Sequence, residues 1–467
     1  MTRLPGGVGH NKQKAARARP ASAGPTASVA EAAAKISPAR AAAFEILTLV
    51  GENKGHSDEL LHSSRTEELT PEDRNLATAL VMGVLRWQIA LDARVAKLLA
   101  RPDQRLAEPV ALALRMGAFQ LLHMDRIPAH AVLNESVEMC RAAGQPHAAG
   151  MVNAVLRKLA AAQKPGARIF ESPAAIAERL GHPRWLVERW VAAYGRDAAL
   201  AICEYDQREP HAGAFFIDEH ADSIDAARVS PREAEPQMDD GSRLVAEIAA
   251  AALPIRATAD RVARVWDCCA APGGKTLMLA RRLAGAEILA TDVSAKRLGW
   301  MAARLRRYAY AGRVRCEVLD AAAVKAETEE GFDLVLCDVP CSGTGTLARN
   351  PEIRHRLRLE DFARQAIRQR AILSGAVRRL APGGRLVYST CSLEAEENEQ
   401  VVDAVVFEAG LRRLPVEPLI AHLADTGILR QDVAVLLMGS GVNNGTLRTL
   451  PGVHGCDGFF AVVLERV

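Results

Sequence analysis

The chain predicts two kinds of architecture in series: an all-helical first part, then an α/β part built on a parallel sheet. Two observations carry this. From Ser37 to about Ala162 apolar residues recur at helical spacing, as in "FEILTLV", where Phe44, Leu47 and Val50 share a face. After Arg261 the pattern changes to short apolar runs separated by helix-like stretches, the signature of parallel strands joined by crossover helices. With 467 residues, 49% of them hydrophobic, the protein is long enough for several domains, each with its own core.

Residues 1–36 are rich in Ala, Gly, Pro and Ser and carry six basic residues against Glu31 alone, although the whole chain is only +3. They are expected to form a disordered basic tail: a solubilising extension, an arm that touches nucleic acid, or a transit-like leader. Residues 37–165 read as a helical domain. Within it, "TPEDRNLATALVMGVLRW" opens with a capping Thr70, Pro71 at the first helical position, and Glu72 and Asp73 on the amide end of the dipole. Pro128 separates two later helices. Residues 166–255 alternate helix-like stretches with Pro- and Asp-rich ones and are expected to form a connecting α+β subdomain, leaving residues 256–467 for the sheet domain.

Nowhere do 18 apolar residues run without a charge, so no membrane association is expected, and the protein is expected to be cytoplasmic and monomeric. Nine cysteines, an odd number with no secretory signal, argue against a disulfide framework. No C-x-x-C or H-E-x-x-H occurs, so no metal is expected.

In the sheet domain "VARVWD", "EILATD", "RVRCEVLD", "FDLVLCD" and "GRLVYST" read as strands, and each ends in a polar or reactive residue: Asp267, Asp292, Asp320, Asp338 and, just past Thr390, Cys391. Ligands of doubly wound sheets bind beyond those carboxyl ends. After the first strand comes "CCAAPGGKT", which finishes like a phosphate-binding loop. Cys269, however, stands where that loop needs its first glycine, and Pro272 removes an amide donor, so a phosphate nest is not expected. Asp292, 18 residues after Gly274, sits where a carboxylate accepts from ribose hydroxyls, and Asp320 could accept from an adenine amino group. An adenosine ligand without a triphosphate fits, and S-adenosylmethionine, with its cationic sulfur, suits the acidic edge. Cys341 in "DVPCSGTG" and Cys391 in "STCS" suit covalent catalysis. Carbon 5 of cytosine, for example, accepts a methyl group only after a thiolate has added to carbon 6. Asp338, three residues before Cys341, is placed to hydrogen-bond ring nitrogen 3, provided it is neutral.

"CCAAPGGKT", "DVPCSGTGTLARNPEIR", "YSTCSLEAEENE" and "DGFFAVVLER" resemble, in order and spacing, the motifs of RNA cytosine-5 methyltransferases. "DRNLATALVMGVLRW", "GAFQLLHMDRIPAHAVLNESVE" and "VNAVLRKLA" resemble the NusB-like domain joined to that catalytic part in the Sun (Fmu, RsmB) family, which modifies small-subunit rRNA. The resemblance spans Ser37 to Val467 and implies a Rossmann-like, class I S-adenosylmethionine-dependent methyltransferase domain behind a NusB-like RNA-binding domain. It further implies that Cys391 is the nucleophile and that Cys341 assists product release. Cys269, Ala270, Ala271, Pro272, Gly273, Gly274 and Lys275, with Asp292, Asp320 and Asp338, would contact the cofactor, Asp338 also facing the base. Lys275 is expected to support the site by pairing with neighbouring carboxylates.

Where the family shows Arg-Val-Asn this chain has "GAFFIDEH" at 213–220; the Arg-Arg pair after the Pro-Cys loop is Ala348-Arg349, and a Trp is replaced near His355. Arg349, Arg354, Arg356 and Arg358 are expected either to hold RNA phosphates or to form the solvated face of a helix. Because a base must leave its stack to meet a thiolate, unassembled rRNA is the expected partner. Two other readings stay open: a cytosine-5 methyltransferase of transfer or large-subunit RNA, and a non-catalytic RNA-binding assembly factor.

Overall fold

The computed structural model describes residues 27–162, 172–210, 213–217, 236–254, 261–324 and 331–467. Its first eight helices are α1 (Ala27–Ala33), α2 (Pro38–Gly51), α3 (Ser57–Leu61), α4 (Ser64–Glu67), α5 (Pro71–Ala96), α6 (Glu108–His123), α7 (Ala129–Ala142) and α8 (Ala149–Ala161). Ile46, Leu80, Leu91, Leu114, Met116 and Met139 form the centre of their shared core. As expected, Thr70 Oγ1 accepts from the Asp73 amide at 3.2 Å and Pro71 opens α5. By length and composition α5 could cross a membrane, but half of its apolar window is buried here, as in a core helix. The expected tail needs correction at its end: "ASVAEAA" forms α1, which packs on α7, because alanine is the strongest helix former and its small side chain allows close packing. Residues 1–26 lie outside the described residues.

Three helices follow, α9 (Pro173–Arg179), α10 (Arg184–Tyr194) and α11 (Arg196–Tyr205). Their core around Trp190 also takes in Leu347, Phe362 and Leu393 from the second half of the chain. Among the described residues of 166–255, the only β pairing is the bridge Phe216 to Leu429. Helix α12 (Asp240–Ala251) sends Leu244, Val245 and Ile248 into the same core as the sheet residues Val265, Ile288 and Leu334, so it is part of the sheet domain rather than of a connector.

Among the described residues the sheet has nine strands: β1 (Arg264–Asp267), β2 (Glu287–Asp292), β3 (Val314–Val318), β4 (Phe332–Asp338), β5 (Leu380–Thr390), β6 (Arg412–Leu414), β7 (Val442–Asn443), β8 (Thr446–Arg448) and β9 (Phe460–Glu465). Their order is β3-β2-β1-β4-β5-β9-β8-β7, with β6 also on β9. Strands β1 to β5 run parallel and β9 antiparallel to β5, so the sheet is mixed. Helices α13 (Gly274–Arg282), α14 (Ala295–Leu305), α15 (Ile353–Arg356), α16 (Leu359–Arg378) and α17 (Glu399–Ala409) join or flank the parallel strands. Two short helices, α18 (Glu417–Asp425) and α19 (Gln431–Leu436), precede the β7–β8 hairpin. Chain order reverses between β1 and β4, the switch point where such sheets open a crevice.

Candidate active site

The loop after β1 is pinned at both ends. The Cys268 amide donates to Leu336 O at 3.0 Å, and the Ala270 amide to Thr291 O at 2.8 Å. Gly273 turns the chain into α13 at φ 96°, where a Cβ would lie 2.7 Å from Met301 Cγ, so only glycine fits. The two polar groups that a phosphate loop would aim at an anion here serve carboxylates. Thr276 Oγ1 donates to Asp267 at 2.6 Å, and Lys275 Nζ meets Asp338 Oδ2 at 2.7 Å and Ser242 Oγ at 2.9 Å. Burial works against the Lys275 charge, yet the Asp338 pair outweighs it and the pKa is raised. Lys275 is thus paired as the sequence reading expects.

Asp267 is 1% exposed, and burial, with the nearby Asp338 charge adding to it, pushes its carboxyl up to about 7 against the donation from Thr276. Its place at a strand end was legible; its burial was not. Asp292, also buried, accepts from the Ser294 amide at 2.8 Å and from Arg297 at 2.7 and 2.9 Å. Asp320 is exposed and accepts from the Ala322 amide at 3.0 Å.

Cys269, Asp292, Asp320, Asp338, Cys341 and Cys391 all line one cavity of about 190 Å³. A second hollow of about 160 Å³, lined by Asp267, Pro272, Gly274 and Lys275, shares Cys269, Ala271 and Asp338 with it. Larger hollows of about 670 and 650 Å³ lie beside Arg264 and Glu287 and at the domain junction; neither reaches a cysteine of this site. Volume therefore does not identify the site; converging reactive groups do. The sulfurs of Cys341 and Cys391 are 3.3 Å apart. That contact, with burial, pushes the Cys341 thiol well above its ordinary range. Asp338 Oδ1 accepts from Ser389 Oγ at 2.7 Å, so in this arrangement both of its oxygens accept, unlike the proton-donating acid expected from the sequence.

Past Cys391 the chain is tied to the intermediate helices. Glu394, 3% exposed, accepts from Trp190 Nε1 at 3.1 Å and Arg189 Nε at 2.8 Å, both on α10, and Tyr194 OH donates to Leu393 O.

The expectation for the arginines after Cys341 is corrected. Arg354 is 2% exposed and donates to four carbonyl oxygens, those of Arg86, Gly181, Asp206 and Leu347, at 3.1 to 3.5 Å. Arg356 donates to Val50 O and Gly55 O at 2.8 and 2.9 Å, and Arg349 pairs with Asp239 and Asp457 at 3.0 and 2.9 Å. From the other side Arg86 of α5 reaches Ala348 O at 2.9 Å. Arg354, Arg356 and Arg86 are therefore held by backbone carbonyls and bind the helical domain to the sheet domain, because carbonyls buried there need donors, whereas half-buried Arg349 pairs with carboxylates inside the sheet domain. Arg358 alone of the four is exposed. The departure at 213–220 is described only to residue 217, where Ala214 and Phe215 amides donate to Asp240 at 2.8 and 3.2 Å. Residues 218–220 lie outside the described residues.

The 16S rRNA methyltransferase RsmB/F family profile matches residues 257–465, and the NusB family profile matches residues 37–161. Ribosomal RNA small subunit methyltransferase B of Xanthomonas campestris pv. campestris is 32% identical over 94% of this chain and 99% of its own length. The chain belongs to this RsmB family of rRNA methyltransferases. A probable RsmB of Bacillus subtilis (strain 168) is 29% identical over 91% of this chain and 98% of its own. The crystal structure of PH0851 shares the fold at TM-score 0.68 and 21% identity, covering 92% of this chain and 99% of that one. As in the RsmB family, then, a NusB domain precedes an S-adenosylmethionine-dependent, Rossmann-like rRNA methyltransferase domain. Among the described residues no group of three or more His, Cys, Asp or Glu is arranged to hold a metal ion.

Proposed function

We propose that the protein methylates carbon 5 of a specific cytidine in 16S rRNA, through a covalent adduct with Cys391. The observation that carries this reading is the pair of sulfurs 3.3 Å apart in one cavity with Asp292 and Asp338. The cavity suits S-adenosylmethionine: a buried carboxylate at a strand end for the ribose, and a glycine turn with no anion nest, since Lys275 and Thr276 are already engaged by carboxylates. Asp292 and Asp320 would hold the nucleoside, and the loop from Cys269 to Lys275 would flank the rest. When bound, the cofactor supplies an electrophilic methyl group.

The Cys391 thiolate adds to carbon 6, forming the S–C6 bond and moving the ring electrons toward carbon 5, which then takes the methyl group. Asp338, an acceptor toward Ser389 and Lys275, presents its carboxylate to the base's amino group. Solvent takes the carbon 5 proton, the C–H electrons restore the C5–C6 double bond as the S–C6 pair leaves on Cys391, and the neighbouring Cys341 thiol assists release by donating its hydrogen to that departing sulfur. An unstacked base is required, so unassembled rRNA is the substrate, and Arg368, exposed at the rim of the cavity, is placed to meet a flanking phosphate.

The test incubates wild type, Cys391→Ala and Cys341→Ala with protein-free 16S rRNA and labelled S-adenosylmethionine. Wild type is expected to incorporate methyl groups, Cys391→Ala none, and Cys341→Ala to accumulate a protein–RNA adduct that survives denaturation. Incorporation by Cys391→Ala, or an adduct that persists without Cys391, would overturn the assignment.

A further inference from the structure

Behind the two cysteines, outside the lining of their cavity, lies Glu397, 0% exposed. Its carboxylate gathers donors from three separate elements. The Ser342 amide donates to Oε1 at 2.8 Å and the Ser342 hydroxyl to Oε2; the Ser392 hydroxyl donates to Oε2 at 2.5 Å. Gln369 of α16 donates to Oε1 at 3.1 Å while also holding Pro340 O at 2.9 Å. Ser342 directly follows Cys341, and Ser392 directly follows Cys391. The next residue, Asn398, repeats the grip: its amide nitrogen donates to Ser392 O at 2.8 Å, and its oxygen accepts from Thr390 at 2.5 Å.

Four donors meeting two oxygens call for an acceptor-only group, which an amide or hydroxyl is not. Among the described residues Glu397 forms no ion pair, so its charge is met by hydrogen bonds alone. Burying such a charge without a counterion carries a desolvation penalty that the four donors have to offset.

We propose that Glu397 is a positioning residue for the methyl transfer: its buried carboxylate clamps the two cysteine loops together and sets the division of labour between their sulfurs. This rests on the two-cysteine reading above. The clamp fixes the sulfurs at contact distance. The charge also disfavours a second anion at Cys341, and it contributes to that thiol's raised pKa behind the Cys391 contact and burial. Cys341 thereby keeps its proton as Cys391 attacks.

The first test needs no RNA, so it stands or falls apart from the substrate assignment. Iodoacetamide alkylation of Cys341 is followed by mass spectrometry against pH in full-length Cys391→Ala and in Cys391→Ala with Glu397→Gln. Removing the charge is expected to speed alkylation at pH 8 by about tenfold, the effect of lowering the thiol pKa by about one unit, while Cys269 stays unchanged. An identical Cys341 profile would overturn the electrostatic role. The second test uses Ser392→Ala, which cuts one arm of the clamp and keeps the charge. It is expected to lower kcat about tenfold with the KM for S-adenosylmethionine and the Cys341 alkylation profile unchanged. Wild-type kcat in that variant would overturn the clamp. Wild type inactive on 16S rRNA, with Cys341 alkylation still responding to Glu397→Gln, would count against the substrate and leave the charge effect standing.

Discussion

The domain junction and the cysteine loops both bury charge, but of opposite sign and to different ends. At the junction the cations Arg354 and Arg86 spend their donors on loop carbonyls, joining elements that only have to stay together. At the loops the anion Glu397 collects donors from residues directly after two cysteines whose sulfurs are 3.3 Å apart. Burial pulls the Arg354 pKa down to about 10, a cost tolerated for cohesion. The difference teaches that a buried charge in this protein is read by what it holds: backbone ends at the junction, reactive side chains at the site.

If that contrast is right, damage at the loops removes turnover and damage at the junction removes stability. Cys391→Ala should show the largest effect, a loss of about a thousandfold or more in methyl incorporation with an unchanged melting temperature. A lowered melting temperature would blur the distinction. Arg354→Ala should do the reverse, costing about 3 kcal/mol in urea unfolding by stranding carbonyls, while folded protein at low temperature retains cofactor affinity. Lys275→Met should weaken turnover about tenfold by leaving Asp338 with Ser389 alone; unchanged kcat and cofactor affinity would remove Lys275 from the site.

A smaller effect appears as pH dependence. The Asp267 pKa is raised to about 7 from an ordinary 3.8, so the native state holds a proton that the unfolded chain has released. Its contribution to stability is complete below about 3.8 and is lost as pH rises toward 7. Asp267→Asn should therefore gain relative to wild type between pH 4.5 and 7.5 in urea titrations, and a constant difference between the two would remove the shift. Smallest is Arg368→Ala, expected to weaken rRNA affinity a few-fold and reduce the salt-dependence slope by about one, as for a single phosphate contact. An unchanged slope would place the RNA elsewhere.

Four of the five strand ends were legible because a buried parallel strand must be apolar almost throughout and stops where polar residues begin, as "FDLVLCD" and "EILATD" both show, whereas the exposed edge strand β3 stops at Val318, two residues short of Asp320. The pairing of Cys341 with Cys391 was legible through motif order alone. What stayed hidden depends on orientation. The four residues of α15 point Arg354 inward because carbonyls of residues 86 and 181, far away in sequence, stand ready to receive it, and a local charge count cannot show this. Glu397 was likewise hidden in an acidic stretch, where Glu394 and Glu397 are buried and Glu396 is not.

The tie between Glu394 and α10 has a consequence for modularity. Trp190 and Arg189 belong to neither family-matched segment, yet they supply the donors for a carboxylate three residues beyond Cys391. A catalytic half excised by truncation after α11 would leave that carboxylate without either donor, next to the thiol it needs in place. The intermediate helices are thus part of what a transplant of this activity would have to carry, and the boundary drawn by sequence similarity is not where the working unit can be cut.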